Sequence, residues 1–333
     1  MKSNIKNVLL KIIFFFIYLC CIFKFYKTIA LLIKISLRKV KLIKQNNSGK
    51  VFFILHKSNG TEEIINAYQN KKSKNIFFEL KRNTLKIICN YFVKGLDDYN
   101  YKSYLKDHDK KKEQYRRVLE IIFKELKKTT KLSGIINFNI FYKSDFELAK
   151  VCKKINKKFI TFHKEGIHTP YQSKNAIKIY KYLNENYSGD KIAVGNYDEK
   201  QRIIKAGILE EKKITVVGSP RINYFFNSGS NRVKKNVKIV FFQYTQKRGN
   251  EIYKNKNIRN WYDTPDTDWN KTELKCIKSL IDLCKKYPKK IEVIFKVRQK
   301  VYKIPKIFSK IETPKNFIIS SSPTAYKFIT NSR

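Results

Sequence analysis

Two short motifs, each directly after an apolar run, carry the residue types best suited to chemistry in this chain. The first is Phe162-His163-Lys164-Glu165-Gly166 and the second is Gly218-Ser219-Pro220-Arg221. In α/β proteins, a turn that holds glycine and charge after a strand lies at the carboxyl end of a parallel sheet, where ligands bind. The backbone N–H groups of such turns, and the helix N-termini that follow them, suit an anion. The stretch 159–226 therefore points to an enzyme that handles a phosphorylated ligand.

The chain is strongly basic, because 72 Lys and Arg against 27 Asp and Glu give a formal net charge of +45. Such a charge is typical of proteins that bind nucleic acid or an anionic membrane. The chain is also rich in Lys, Asn, Ile, Phe and Tyr and holds only 11 Gly and 7 Pro, so it favours amino acids with AT-rich codons. A compositional bias of the genome explains most of the positive charge. Because the lysines are spread along the chain and no zinc-finger or RNP-like spacing occurs, we expect no nucleic-acid partner.

No metal site or cofactor is expected from the residues that usually bind metals. The six cysteines form no Cys-x-x-Cys pair and are expected to be reduced and buried, which suits the cytoplasm. The four histidines do not complete a zinc cluster with them. Asp263, Asp266 and Asp268 are closely spaced but lack the glycine and the distal glutamate of a calcium loop.

Apolar runs and helical periodicity alternate along residues 50–217. Strands are predicted at 50–56, 75–80, 134–138, 159–162, 192–194 and 214–217. Helices are predicted at 107–130, 144–156 and 198–206, the last ending at Gly207 as a C′ glycine. Alternation of strand and helix is the signature of a doubly wound parallel sheet.

The polar, glycine-bearing stretch 227–231 is the best domain boundary in the chain. Beyond it we predict strands at 237–242, 291–297 and 317–320, a helix at 271–286 and another from Thr324. We therefore assign residues 1–48 to an N-terminal segment, 49–228 to a first Rossmann-like domain and 236–333 to a second. The second domain is small and ends on an unreturned helix, so we expect it to be incomplete and the polypeptide to be truncated.

The N-terminal segment is apolar and then basic. The uncharged run 12–23 would be about 18 Å long as a helix, which is short of the roughly 30 Å hydrocarbon core. The segment 34–44 alternates cations with aliphatic residues, a pattern that suits the surface of an anionic leaflet. We predict a membrane anchor that either lies in the interface or spans marginally, with the catalytic part in the cytoplasm. The alternative is an N-terminal helix buried in the protein.

Several motifs, in order, resemble the bacterial surface-carbohydrate and capsule polysaccharide biosynthesis proteins of the GT-B glycosyltransferase fold. The matching elements are Lys164-Glu165-Gly166, the Gly195-Asn196…Lys200 region, Val216-Val217-Gly218-Ser219-Pro220-Arg221, Phe241-Phe242-Gln243-Tyr244 and Val293-Ile294-Phe295-Lys296. The resemblance covers roughly residues 50–333 and includes the outline of CDP-glycerol glycerophosphotransferases. It implies two Rossmann-like doubly wound α/β domains preceded by a membrane-associated helix.

The resemblance also implies substrates and a location. The enzyme would transfer a sugar or a polyol phosphate from a nucleotide sugar or CDP-polyol donor to a glycan or lipid-linked acceptor. The donor is a substrate, so no cofactor is implied. The protein would lie at an anionic membrane surface, on the cytoplasmic face of the inner membrane.

The resemblance assigns roles to particular residues. His163 and Glu165 are the candidates for the general base, and Lys164 and Gly166 lie in the same turn. Lys296 and Arg298 would hold the diphosphate of the donor.

Gly218, Ser219 and Arg221 would form an inter-domain turn, with Arg221 near a phosphate or the acceptor. Each assignment has a structural alternative: a core hydrogen bond for His163, an ion pair for Glu165, and solvated cations for Lys296 and Arg221.

The chain departs from the family pattern at two points. Where many relatives have Lys-x-His-Pro, this chain has Lys296-Val297-Arg298-Gln299, so the role of that histidine is missing. The chain also ends before the Asn-Ser-Thr…Glu-Ala element of the donor site, so the fragment is expected to bind donor poorly or to be inactive. Two other functions stay open, a UDP-sugar 2-epimerase-like enzyme of the same fold and a non-catalytic, membrane-associated carbohydrate-binding protein.

Overall fold

The computed structural model describes residues 2–42, 49–56, 60–67, 73–96, 101, 106–163, 170–183, 187–218, 237–242, 269–297 and 312–320. The chain divides into two compact units, residues 1–220 and 221–333.

The first unit alternates helices and strands after two N-terminal helices. Its helices are α1 (Lys2–Ile22), α2 (Tyr26–Ser36), α3 (Gly60–Ala67), α4 (Arg82–Phe92), α5 (Lys106–Thr130), α6 (Lys143–Lys154), α7 (Pro170–Leu183) and α8 (Tyr197–Lys205). Its strands are β1 (Arg38–Lys39), β2 (Val51–His56), β3 (Ile76–Lys81), β4 (Leu132–Asn137), β5 (Lys158–His163), β6 (Lys191–Val194) and β7 (Ile214–Val216).

These strands form one seven-stranded sheet in the order β1-β3-β2-β4-β5-β6-β7. All the pairs are parallel except the two-residue edge strand β1, which runs antiparallel to β3. The chain starts the parallel sheet at β2, adds β3 on one side and then β4 to β7 on the other. This confirms the predicted α/β class and its parallel sheet. The reversal of strand order between β2 and β4 is the kind of switch point at which α/β proteins bind ligands.

The main core lies between the sheet and a layer of helices that includes the two N-terminal ones. Helix α1 packs against α4, and α2 packs against α5. Ile17, Ile29 and Ile33 are fully buried in the same apolar cluster as Phe53 and Phe123. One face of each N-terminal helix is thus part of the protein core, as the buried-helix alternative requires. No helix among the described residues has both the length and the apolar character needed to cross a bilayer.

The second unit contains β8 (Val237–Phe242), α9 (Trp269–Lys286), β9 (Ile291–Lys296) and β10 (Phe317–Ser320). Its strands form a parallel sheet in the order β10-β9-β8. Phe295, Phe241 and Phe317 stack across the three strands, and Ile277 and Ile281 of α9 cover them. The predicted helix from Thr324 and the boundary at 227–231 lie outside the described residues. The domain bounds and the expected truncation stay predictions.

Candidate functional site

The carboxyl edge of the first sheet holds the candidate site. His163 is the last residue of β5, Asn196 lies two residues after β6, and Gly218 lies two residues after β7. Since β5, β6 and β7 are neighbouring parallel strands, both motifs that the sequence singles out follow strands that end at one edge of the sheet.

His163 is held by two side chains that come from the helices on either side of β6. Its side chain is completely buried. Its Nε2 atom lies 3.2 Å from the hydroxyl oxygen of Tyr180 on α7 and 3.2 Å from Oε1 of Glu199 on α8. The ring of Phe141 meets the imidazole edge to face, with ring centroids 5.6 Å apart. The imidazole is therefore fixed in position by both polar and aromatic contacts.

Glu199 is the centre of this group, which we call the His163 network (His163, Tyr180, Glu199 and Arg202). The buried carboxylate accepts a hydrogen bond of 2.6 Å from the Tyr180 hydroxyl and one of 2.8 Å from Nε of Arg202. Burial raises the pKa of Glu199, but the hydrogen bonds from His163, Tyr180 and Arg202 outweigh it and hold the pKa below its usual value. Glu199 is therefore a carboxylate at neutral pH.

The backbone places this carboxylate by means of a helix cap. Asn196 is the N-cap residue of α8, and its side chain accepts a hydrogen bond of 2.8 Å from the backbone N–H of Glu199. The cap starts α8 immediately beyond β6, so its first turn faces the end of β5. Arg202 follows one turn later and is itself buried, at 5% exposure.

The partners of His163 decide its tautomer. A carboxylate can only accept hydrogen bonds, so the ring nitrogen that faces Glu199 carries the hydrogen. The other nitrogen, Nδ1, is then unprotonated in the neutral ring, and it is buried without a hydrogen-bond partner in the described part of the chain. A buried polar atom without a partner costs about 1–3 kcal/mol and needs an explanation in each case. A histidine that faces a carboxylate with one ring nitrogen and has no described partner at the other has the arrangement of a general base.

Two further unpartnered polar atoms lie on elements of the same edge. Oδ1 of Asn137, the last residue of β4, is buried and has no hydrogen-bond partner among the residues that the structure describes. The same holds for Oε2 of Glu62, in the first turn of the helix that follows β2. Strands β2 and β4 flank the switch point of the sheet, so acceptor oxygens are available where a hydroxyl-rich ligand would be expected.

Lys296 is the predicted donor-side cation that the structure describes. It is the last residue of β9, the central strand of the second sheet, and it is 7% exposed. Its Nζ atom donates a hydrogen bond of 2.6 Å to the backbone oxygen of Val297. Burial lowers its pKa, because desolvation disfavours the charged form. A buried ammonium whose described partner is a neutral carbonyl would be stabilised by a bound anion.

Most of the other predicted site residues cannot be placed. Lys164, Glu165, Gly166, Ser219, Arg221 and Arg298 lie outside the described residues. Gly218 is described, and its φ of +73° is in the left-handed region, where glycine alone is unstrained. No atom of the described residues lies within 4 Å of the position of an added Cβ there, so the preference for glycine at this turn is conformational. Within the described ranges, no group of three or more His, Cys, Asp or Glu side chains could hold a metal ion.

Sequence reasoning did not select three members of the His163 network, namely Tyr180, Glu199 and Arg202. Two sequence signals were available. Thr169-Pro170 suits a helix that starts with proline at its first position, and that helix, α7, carries Tyr180. Glu199 follows Asn196 by three residues, a spacing that matches a helix-start pattern. The pattern predicts the helix but does not indicate that the carboxylate points inward.

Comparisons with known proteins leave the family of this chain open. No protein-family model matches it, and no curated protein matches it. Among solved structures, a UDP-N-acetylglucosamine 2-epimerase from Rickettsia bellii is similar at a TM-score of 0.44 and 11% identity, over 86% of this chain and 72% of that chain.

A UDP-forming alpha,alpha-trehalose-phosphate synthase from Burkholderia xenovorans is similar at a TM-score of 0.36 and 9% identity, over 78% of this chain and 67% of that one. Likenesses this remote carry no argument, so the functional proposal rests on the site itself.

Proposed function

We propose that this protein is a GT-B-type glycosyltransferase that uses a nucleotide-activated donor, with His163 as the general base that activates the hydroxyl of the acceptor. The observation that carries the proposal is the Nδ1 atom of a buried, carboxylate-bound histidine at the carboxyl edge of a parallel sheet, an atom with no hydrogen-bond partner among the described residues. A buried polar atom without a partner lowers stability, and a catalytic role is one explanation for its presence.

In the proposed transfer step, His163 acts as the base and Glu199 supports it. Nδ1 accepts the proton of the acceptor hydroxyl while the hydroxyl oxygen forms a bond to the anomeric carbon of the donor. The bond between that carbon and the phosphate oxygen breaks, and the nucleoside diphosphate leaves with the electron pair. The imidazolium that forms is stabilised by the Glu199 carboxylate, 3.2 Å from Nε2. A CDP-polyol donor would use the same base, with the phosphorus atom as the centre of attack.

The negative charge of the donor needs cations, and we assign part of that role to Lys296 of the second unit. Its burial and its place at the carboxyl end of the central strand support this assignment. A diphosphate gains more from a cation in a partly dehydrated site than from a fully solvated one. Arg298, two residues further on, would add a second cation.

We further propose the identity of the acceptor, which is a surface or capsule glycan or a lipid-linked precursor of one. It rests on the order of the motifs in the sequence, from Lys164-Glu165-Gly166 to Lys296. A panel of UDP-, CDP- and GDP-linked sugars and CDP-glycerol, offered with and without oligosaccharide acceptors, would identify the donor. Mass spectrometry of the products distinguishes transfer from epimerisation, because an epimerase returns a nucleotide sugar of unchanged mass.

The decisive variant is His163→Gln, assayed by release of the nucleotide from the donor. We expect turnover to fall by about 10²–10⁴-fold, the usual contribution of a general base. The matched control is His108→Gln. His108 on α5 also has a buried Nδ1 without a hydrogen-bond partner among the described residues, but it lies outside the His163 network. Turnover by His163→Gln within a factor of three of the wild type, at equal thermal stability, would refute the assignment of the base.

A further inference from the structure

The N-terminal helices expose an apolar surface that is unusual for a folded protein. The surface consists of the outward side chains of α1, the turn after it and α2, and we call it the hairpin face. Its members are Val8, Leu9, Ile12, Phe15, Phe16, Tyr18, Ile22, Phe23, Phe25, Leu31 and Ile35, all at least 42% exposed. Single exposed apolar side chains are normal, whereas a contiguous set indicates a binding surface.

The opposite side of the same helices is already occupied. Ile13, Ile17 and Cys21 of α1 and Ile29 and Ile33 of α2 are buried in the main core. Helix α1 is therefore apolar on both sides, whereas a helix at the surface of a soluble protein normally turns a polar side to water. The hairpin face needs a second apolar partner in addition to the protein core.

The charges around the hairpin face select that partner. The first acidic residue of the chain is Glu62, so no carboxylate side chain lies in the two helices or in β1. Lys24, Lys27, Lys34, Arg38 and Lys39 are all exposed along the turn, α2 and β1. A second copy of the chain would bring the same cations against each other, whereas an anionic lipid leaflet supplies opposite charge and hydrocarbon together.

We propose that the α1–α2 hairpin lies in the plane of an anionic membrane interface, with the hairpin face in the headgroup and acyl boundary. Phe15, Phe16, Phe23, Phe25 and Tyr18 are the aromatic anchors that this depth favours. The buried side of the helices keeps its contacts with α4 and α5, so the hairpin docks as a fixed part of the first unit. This decides between the two modes that the sequence leaves open in favour of the one that lies in the interface.

Vesicle flotation of the full chain tests the proposal, with phosphatidylcholine vesicles that contain or lack phosphatidylglycerol. The apolar variant is Phe16→Ser with Phe23→Ser, two side chains that are 49% and 61% exposed and outside the core. We expect it to lose about tenfold or more in partitioning to anionic vesicles. Its matched control is Ile121→Ser with Ile318→Ser, two exposed apolar side chains on other elements, which should float like the wild type.

The charge variant is Lys27→Gln with Lys34→Gln, and its matched control is Lys110→Gln with Lys111→Gln on α5. Each cation near an anionic surface contributes about a fivefold effect, so the charge variant should lose about 25-fold at low salt. The control has the same net charge and should lose far less.

Three results would overturn the proposal. The apolar variant could float like the wild type, the two charge variants could lose affinity equally, or light scattering without lipid could show a dimer that the apolar variant dissociates. The first would show that the hairpin face does not enter lipid, and the second that binding reflects the bulk charge of the chain. The third would assign the face to a second copy.

Discussion

Replacement of Glu199 by glutamine should cost more stability than any other isosteric change at the candidate site. The carboxylate accepts from the Tyr180 hydroxyl and Arg202 Nε, and it lies 3.2 Å from His163 Nε2. Glutamine has the same shape, but it keeps one acceptor oxygen and replaces the other with a donor. The buried Arg202 would then lose the carboxylate that its Nε atom contacts.

The expected loss in the free energy of unfolding is about 3 kcal/mol. Removing one partner of a buried ion pair typically costs about 3–5 kcal/mol. The retained amide oxygen keeps one hydrogen bond, worth about 1 kcal/mol. The expected loss in the free energy of unfolding therefore lies at the lower limit of that range. Such a loss is a large part of the roughly 5–15 kcal/mol that stabilises a domain.

Urea unfolding provides the assay, with far-UV circular dichroism as the probe, because eight of the nine described α-helices belong to the first unit. Both tryptophans, Trp261 and Trp269, belong to the second unit, so their fluorescence is an internal control that should not change. The double variant Glu199→Gln with Arg202→Met should recover part of the loss, because it also removes the buried positive charge that has lost its contact with the Glu199 carboxylate. A loss under about 1 kcal/mol for the single variant, or no recovery in the double variant, would refute this reasoning.

Further predictions address pH, the second unit and the turns. The folded-state pKa of Glu199 is lowered from 4.5, so its stabilising effect is present above that value and is lost as the pH falls through the folded-state pKa. Acid titration should therefore destabilise the wild type more steeply than Glu199→Gln. Lys296→Met should stabilise the second unit by about 1 kcal/mol, because it removes a buried charge, while it weakens donor binding in calorimetry. Gly207 has a φ of +72°, so Gly207→Ala should lower stability by about 1–2 kcal/mol in urea unfolding. Asn196→Ala should cost about 1 kcal/mol by loss of the cap, and the Asn196→Asp variant should retain it.

Each of these predictions has an outcome that contradicts it. Equal acid sensitivity of the wild type and Glu199→Gln would show that Glu199 titrates normally. Unchanged donor affinity in Lys296→Met would remove that lysine from the donor site. A stabilising Gly207→Ala, or a neutral Asn196→Ala, would mean that the local backbone geometry described above is wrong.

The alternation of strands and helices could be predicted from the sequence because it follows from the spacing of apolar residues over short stretches of the chain. The apolar positions Tyr115, Val118 and Ile122 repeat with helical spacing, and all three are buried on α5. The run 159–162 lies within β5, and Gly207 does adopt the left-handed conformation of a C′ residue. Patterns that depend on a residue and its near neighbours in the chain are visible without a structure.

Local patterns could not predict which residues come together at the candidate site. Glu199 lies 36 positions from His163 in the chain, and their contact exists because β5 and β6 pair in the sheet. The direction of the Glu199 side chain is decided by Tyr180 and Arg202, not by the local sequence. The sequence predicted an apolar N-terminal segment at a membrane but not which side of α1 faces outward, since α1 has apolar residues on both sides.

The packing of α1 and α2 has a practical consequence for anyone who wishes to purify this protein. An apolar N-terminal segment is commonly trimmed to improve solubility. Here Ile17, Ile29 and Ile33 form one wall of the main core, so a trimmed chain would present the apolar sides of α4 and α5 to water. Trimming would replace one exposed apolar surface with another and favour aggregation during refolding. Detergent, or substitution of the outward phenylalanines, is the better way to improve solubility.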